Sequence, residues 1–226
     1  MKRGLDETFG TLGWLVELDG FRMILDPNDE NISKVLRTVK IWEPKVTDAV
    51  KQLLRRGDIF VSCGAHIGYY TCLAAHLVGP QGKVYAFEAW PKNFTYLHWN
   101  IMLNGLRNVE AYPLILSDRV EEKGFGGVEK GNTGGSRLDG SNEAPNVRYP
   151  AGRLDDYVPR ADFLMVDCEG WDELVLRGGV NLLSRASTVI YESMSQEGVD
   201  WLRSQGFEMT EDLSSGMGPS HLYRRP

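Results

Sequence analysis

The sequence predicts an α/β fold: a mostly parallel, seven-stranded sheet covered by helices on both faces, with a small N-terminal hairpin and helical extension. Three observations carry this expectation. From Ile59 onward, short apolar runs alternate with helical stretches, the grammar of βαβ units. Glycine breaks such as Gly57-Asp58 and Gly79-Pro80 punctuate them. Acids or glycines stand at the strand ends, at Gly64, Glu88, Asp118, Asp167 and Glu192. The length of 226 residues suits one domain with an extension, divided here into residues 1–56 and 57–226.

In chain order, Thr11 to Leu18 and Phe21 to Leu25 read as a hairpin turning at Asp19-Gly20. Asn31 to Val39 has helical spacing. So does the stretch from Val46, where Val46, Val50, Leu53 and Leu54 share a face and Thr47 is a plausible cap. Ile59 to Cys63 is the first strand of the alternating part, followed by a helix from Ile67 to Val78. Val84 to Phe87, Val109 to Leu116, Phe163 to Val166 and Thr188 to Tyr191 are further strands. Helices are expected over Pro91 to Leu103, Asp172 to Leu183 and Gln196 to Gln205. Phe207 to Met209 and His221 to Tyr223 would close the sheet as a hairpin. Arg119 to Tyr149, rich in Gly, Asn, Ser and acids, fits none of these; a stretch this long is a lid or substrate loop, or else a mere insertion.

Composition narrows the function. Lys plus Arg is 25 against 31 for Asp plus Glu, a net charge of −6, which counts against broad binding to nucleic acid or an anionic membrane. No apolar run reaches the length of a membrane span, and the N-terminus lacks a hydrophobic signal segment. Cys63, Cys72 and Cys168 form no C-x-x-C pair and sit in apolar stretches, which suits buried thiols in a cytoplasmic protein.

In open parallel sheets, ligands bind at the carboxyl ends of the strands, where the strand order reverses. The first such end carries Gly64-Ala65-His66-Ile67-Gly68. Its glycines permit a sharp turn and close approach to a ligand, or a tight turn with no ligand. Glu88 ends the second strand, twenty positions after Gly68, where an acid can accept both hydroxyls of a ribose; the alternative is a surface Glu at a helix start. Ser117-Asp118 ends the third strand and could accept from an adenine amino group, or form a turn. Asp167-Cys168-Glu169-Gly170-Trp171-Asp172 follows the fourth. Three carboxylates in six residues suggest function, metal or raised pKa values, or else partial solvation with Asp172 capping the next helix. Glu192 ends the fifth strand, facing the same crevice or merely solvated.

These residues resemble the FkbM-like class I methyltransferases. The resemblance runs from about Trp42 to Glu192. It rests on Gly57-Asp58-Ile59-Phe60-Val61, Gly64-Ala65-His66-Ile67-Gly68-Tyr69-Tyr70-Thr71, Val84-Tyr85-Ala86-Phe87-Glu88, Asn100, Asn104-Gly105, Leu154-Asp155-Asp156 and Asp167-Cys168-Glu169-Gly170. It implies a Rossmann-like fold, S-adenosyl-L-methionine as cofactor, and methyl transfer to an oxygen, often on a sugar or natural product. The cofactor-binding residues it implies are Ser62, Gly64, Ala65, His66, Gly68, Tyr69, Glu88, Ser117, Asp118 and Asp167, with the glycine turn at the methionine part and Glu88 on the ribose. Ser62 stands where the family usually has Asp, so the cofactor's methionine end loses a charge; Ala89-Trp90 intervene before Pro91, and Asp172 replaces Glu.

A methyltransferase acting on oxygen needs its acceptor in line and deprotonated; Asp167, Glu169 and His66 are the candidate groups. Nothing in the ligand pattern demands a metal. The missing G-x-G-x-x-G counts against an NAD enzyme. The absence of an Asn-Pro-Pro-Tyr segment and of a basic run counts against nucleic acid, which leaves RNA ribose methylation and a non-catalytic cofactor-binding module as alternatives to a small-molecule or glycan acceptor.

Overall fold

The computed structural model describes residues 7–8, 12–124, 148–192, 195–215 and 218–226. The chain opens with a three-stranded antiparallel sheet of β1 (Glu7–Thr8), β2 (Trp14–Glu17) and β3 (Arg22–Leu25). Two helices follow, α1 (Ile32–Thr38) and α2 (Pro44–Leu53). Pro44 suits the first turn of α2, where its missing N–H costs nothing, and Val46, Ala49 and Val50 are buried on one face. Thr47 is not the cap: it lies inside α2, buried, with its hydroxyl donating to the Trp42 carbonyl at 2.6 Å.

The alternation then runs β4 (Ile59–Cys63), α3 (Tyr69–Val78), β5 (Lys83–Phe87), α4 (Pro91–Leu103) and β6 (Val109–Tyr112). The expected third strand is cut short. Pro113 has no N–H to give the ladder, and the chain leaves the main sheet at Tyr112. It continues as β7 (Ile115–Leu116) in a second, three-stranded sheet with β8 (Glu121–Gly124) and β9 (Arg148–Gly152). Both ends of the stretch expected as a loop are therefore paired strands, while residues 125–147 lie outside the described residues.

After a short α5 (Leu154–Tyr157) come β10 (Phe163–Val166), α6 (Asp172–Arg177), α7 (Val180–Leu183), β11 (Thr188–Glu192), α8 (Gln196–Ser204), β12 (Glu208–Asp212) and β13 (Ser220–Arg224). The helix expected over Asp172 to Leu183 breaks at Gly178-Gly179, because Gly178 packs its backbone against the Ser117 carbonyl, where a Cβ would not fit. The main sheet has seven strands in the order β12-β13-β11-β10-β4-β5-β6. β4, β5, β6, β10 and β11 are parallel, and the closing hairpin is antiparallel. Strand order reverses between β4 and β10, so the crevice beyond their carboxyl ends is the expected ligand site.

Strand periodicity sorts the core onto the two faces. Phe60, Phe163, Met165 and Ile190 join one cluster, and Val61, Cys63, Leu164, Val166, Val189 and Tyr191 the other. The extension belongs to the first cluster: Val16, Met23, Leu25 and Leu36 are buried with Cys72 and Leu73 of α3.

Two asparagines fasten the extension to the main domain. Asn104 accepts from the Arg22 N–H at 2.9 Å and donates to its carbonyl at 2.7 Å. One helical turn earlier, Asn100 accepts from the Ile24 N–H at 2.6 Å and donates to the Ile24 carbonyl at 3.2 Å. Four residues of helix rise about 6 Å and two of strand about 6.7 Å, so two side-chain amides on α4 can pair the free edge of β3. Asn100 also donates to the Ile67 carbonyl at 2.8 Å, tying the turn after β4 to the same point. Asn100 is fully buried. Replacing it with Leu strands a buried N–H and two carbonyls, and Asn100→Leu is expected to cost about 2–4 kcal/mol in urea unfolding with an unchanged slope. A loss below about 1 kcal/mol would show that the clamp is not a principal tie.

Candidate active site

The turn after β4 is forced by close packing. Gly64 has φ +77 and lies so near the Asp167 carbonyl that any Cβ would overlap it. The Asp167 N–H in turn donates to the Cys63 carbonyl at 3.1 Å, which locks the ends of β4 and β10 together. Gly64 and Ala65 both donate to the Phe87 carbonyl, at 3.0 and 2.8 Å, joining the turn to β5. The turn therefore spends these two N–H groups on the protein. Gly68, at φ +93, opens α3; a Cβ there would come within 2.7 Å of Leu97.

Glu88 sits at the end of β5, 8% exposed. One carboxylate oxygen accepts from the His66 N–H at 2.8 Å and the other from the Trp90 N–H at 2.7 Å. The Ala89 backbone N–H acts on the same carboxylate. Burial pushes the Glu88 carboxyl up to about 7, against the pull of those N–H donors. His66 moves the other way: burial lowers its ring to about 4, partly offset by Asp29 and Asp26 of the extension. A ring held neutral with so low a pKa is a weak base, which counts against His66 as the proton acceptor.

A cleft opens beside the turn. Ser62, Gly64, Ala65, His66, Tyr69 and Asp167 line it, so six of the expected site residues meet there. Ile32, Trp42, Cys63, Tyr70 and Met165 complete the wall. The first two come from the extension and were not among the expected site residues, although the resemblance begins at about Trp42. Asp167 is strongly perturbed. Burial raises its carboxyl well above the usual range, and Glu192, Asp172 and Glu43 raise it further. Glu43 is also pushed up by burial and by Glu192, while accepting from the Tyr70 hydroxyl at 3.0 Å.

Other expected residues stand elsewhere. Ser117 is fully buried, donates its N–H to the Gly152 carbonyl and packs under Gly178, so it supports the second sheet. Asp118 pairs with Arg119 at 2.9 Å, which holds its carboxyl below the usual range. Both follow from the early exit of the chain at Tyr112. Glu169, at φ +52, occupies the tight turn before α6 and does not line the cleft. Asp172 holds that turn: its carboxylate accepts from Cys168 at 2.6 Å and Gly170 at 2.9 Å, and burial raises it to about 6. No group of three or more His, Cys, Asp or Glu among the described residues is arranged to hold a metal, and no described helix is long and apolar enough to cross a membrane.

A family model, the methyltransferase FkbM domain, matches residues 62–210. No curated protein matches the chain. Among solved structures, M. jannaschii TYW2 in complex with AdoMet is 14% identical with a TM-score of 0.54, covering 97% of this chain and 90% of that one. Precorrin-6y C5,15-methyltransferase from Geobacter metallireducens GS-15 is 14% identical with a TM-score of 0.51, covering 89% and 93%. Trm5b from Pyrococcus abyssi is 12% identical with a TM-score of 0.52, covering 94% of this chain but 54% of that one. At these identities the likeness is one of fold.

The Glu88 environment makes a stability prediction. Its folded value of about 7 lies above the ordinary 4.5, so folding favours the protonated acid. That contribution is complete below about pH 4.5 and is lost as pH rises through 7. Relative to Glu88→Gln, the parent is expected to lose on the order of 2–3 kcal/mol between pH 5 and 8 in denaturant titrations. Parallel pH profiles would refute the buried-acid assignment.

Proposed function

The chain belongs to the FkbM methyltransferase family, and from that premise we propose that it methylates a hydroxyl oxygen on a small-molecule or glycan acceptor. S-adenosyl-L-methionine is the cofactor. The residues at the switch point suit it. The Gly64 turn leaves backbone where a side chain would stand, and Glu88 follows β5, where an acid can accept from ribose hydroxyls. Ser62 lines the cleft at 3% exposure, an uncharged hydroxyl for the methionine end.

When bound, the cofactor supplies a methyl group already made electrophilic by its sulfonium. What remains for the chain is to hold the acceptor oxygen and receive its proton. The observation that carries this reading is Asp167 on the cleft wall beside the glycine turn, with its carboxyl raised by burial and by Glu192. A carboxylate of raised pKa is a stronger base than a solvated one. It is most useful facing the acceptor, because one placed against the sulfonium would favour the ground state over the transition state, where positive charge fades.

A tritiated-methyl assay on sugars, natural products, lipids and RNA tests the acceptor class; label taken up by RNA alone would overturn it. Asp167→Asn is expected to lower kcat more than about tenfold while cofactor affinity changes far less, since general-base contributions run to about 10²–10⁴. Undiminished turnover would move the base elsewhere, with Glu169 next. Glu88→Ala should weaken S-adenosylmethionine binding by roughly 30- to 150-fold in calorimetry, from the loss of about 2–3 kcal/mol of charge-assisted bonding. Unchanged affinity would refute its place on the ribose.

A further inference from the structure

The cleft beside the glycine turn has an aromatic side. Trp42, just before α2, and Tyr69 and Tyr70, which open α3, all line it. Trp42 and Tyr70 are each only 8% exposed, so both are almost dry. Tyr70 meets Tyr69 edge to face, with 5.1 Å between ring centroids. Glu43 anchors this side. It accepts from the Tyr70 hydroxyl at 3.0 Å, and the Trp42 indole N–H acts on the same carboxylate. The Trp42 carbonyl accepts from the Thr47 hydroxyl at 2.6 Å, which ties the chain here to α2. Glu43 itself has φ +37, a left-handed backbone that a non-glycine residue keeps only where its surroundings enforce it. A hydroxyl or indole N–H that donates to a carboxylate leaves its own ring richer in electrons, so the negative faces of both rings are strengthened.

The ionisable groups of the same wall agree with this. Asp167 is an acid, the His66 ring is held neutral by burial, and no lysine or arginine among the described residues lines the cleft. Electron-rich rings beside an acid, with no basic group, suit a cation. A sulfonium has no N–H or O–H to donate, so an aromatic face is the group that can recognise its charge.

We propose that the Trp42 and Tyr70 rings, held on Glu43, read the positive charge of S-adenosyl-L-methionine, with Trp42 the residue that favours the cofactor over its neutral product, S-adenosylhomocysteine. The proposal rests on the placement of the cofactor in this cleft. Methyl transfer turns the sulfonium into a thioether, and the attraction to the rings disappears with the charge. This wall therefore holds the product less tightly than the cofactor. Because the attraction is greatest before the methyl group leaves, it favours the ground state; it serves cofactor selection and product release rather than the chemical step.

Calorimetry with three ligands tests this without any acceptor. They are S-adenosylmethionine, S-adenosylhomocysteine and sinefungin, whose amine keeps a positive charge where the cofactor has its S-methyl group. Trp42→Leu is expected to weaken S-adenosylmethionine and sinefungin about tenfold, and S-adenosylhomocysteine less than about twofold. Trp42→Phe keeps a smaller aromatic face and should weaken the two cations by about two- to threefold. Equal weakening of all three ligands would make Trp42 a plain wall and overturn the proposal, while leaving the cofactor in the cleft. Three unchanged affinities would show that the cofactor lies elsewhere and overturn both. Should Trp42→Leu fail to fold, Trp42→Phe decides the matter: an unchanged ratio of cofactor to product affinity would refute the role of the ring.

Discussion

The close approach of Gly64 to the Asp167 carbonyl is the constraint on which the site depends. It brings the ends of β4 and β10 together at the point where strand order reverses. Because no Cβ fits there, the turn bends at once, and its next two N–H groups reach the Phe87 carbonyl. That places His66 where its N–H can hold Glu88. The ends of β4, β5 and β10 are thus joined by backbone contacts around the turn, while the cleft itself is lined from β4 and β10 and the segments that follow them.

The extension is held to this frame by geometry that strand and helix share. Asn100 and Asn104 serve β3 as a second strand would, and Asn100 reaches the glycine turn as well. The consequence for function is direct. Ile32 and Trp42 form part of the cleft wall, and Glu43, held by the Tyr70 hydroxyl, adds its charge to that of Asp167. None of these three lies within the matched family segment of residues 62–210.

Electrostatics divides the acids of the crevice by neighbour rather than by type. Asp172 spends its oxygens on the Cys168 and Gly170 N–H groups and shapes a turn. Glu88 accepts from the backbone N–H groups of His66 and Trp90 and is held at the end of β5. Asp167 lines the cleft with its carboxyl raised above the usual range by burial, the setting in which a carboxyl group gains basicity. Asp118, with Arg119 beside it, is held in its ionised form and away from proton chemistry.

The sequence by itself determined the alternating sheet, the seven strands, the glycine turn and the strand-end acids Glu88, Asp167 and Glu192. Each of these is a local signal: apolar periodicity, glycine, or a charge directly after an apolar run. It also carried the family resemblance, with Asn100 and Asn104 among its residues but without their role. The tertiary structure alone decided the rest. It ended β6 at Tyr112 and drew Ser117 under Gly178, because β7 found its partner in β9, far along the chain. It split the helix after Asp172, since the break at Gly178 answers to a carbonyl some sixty residues earlier in sequence. It placed Asp167 and Glu192 at adjacent strand ends and brought Ile32 and Trp42 to the cleft, because strand register and the docking of the extension decide which residues meet, and neither is written in the local order of residues.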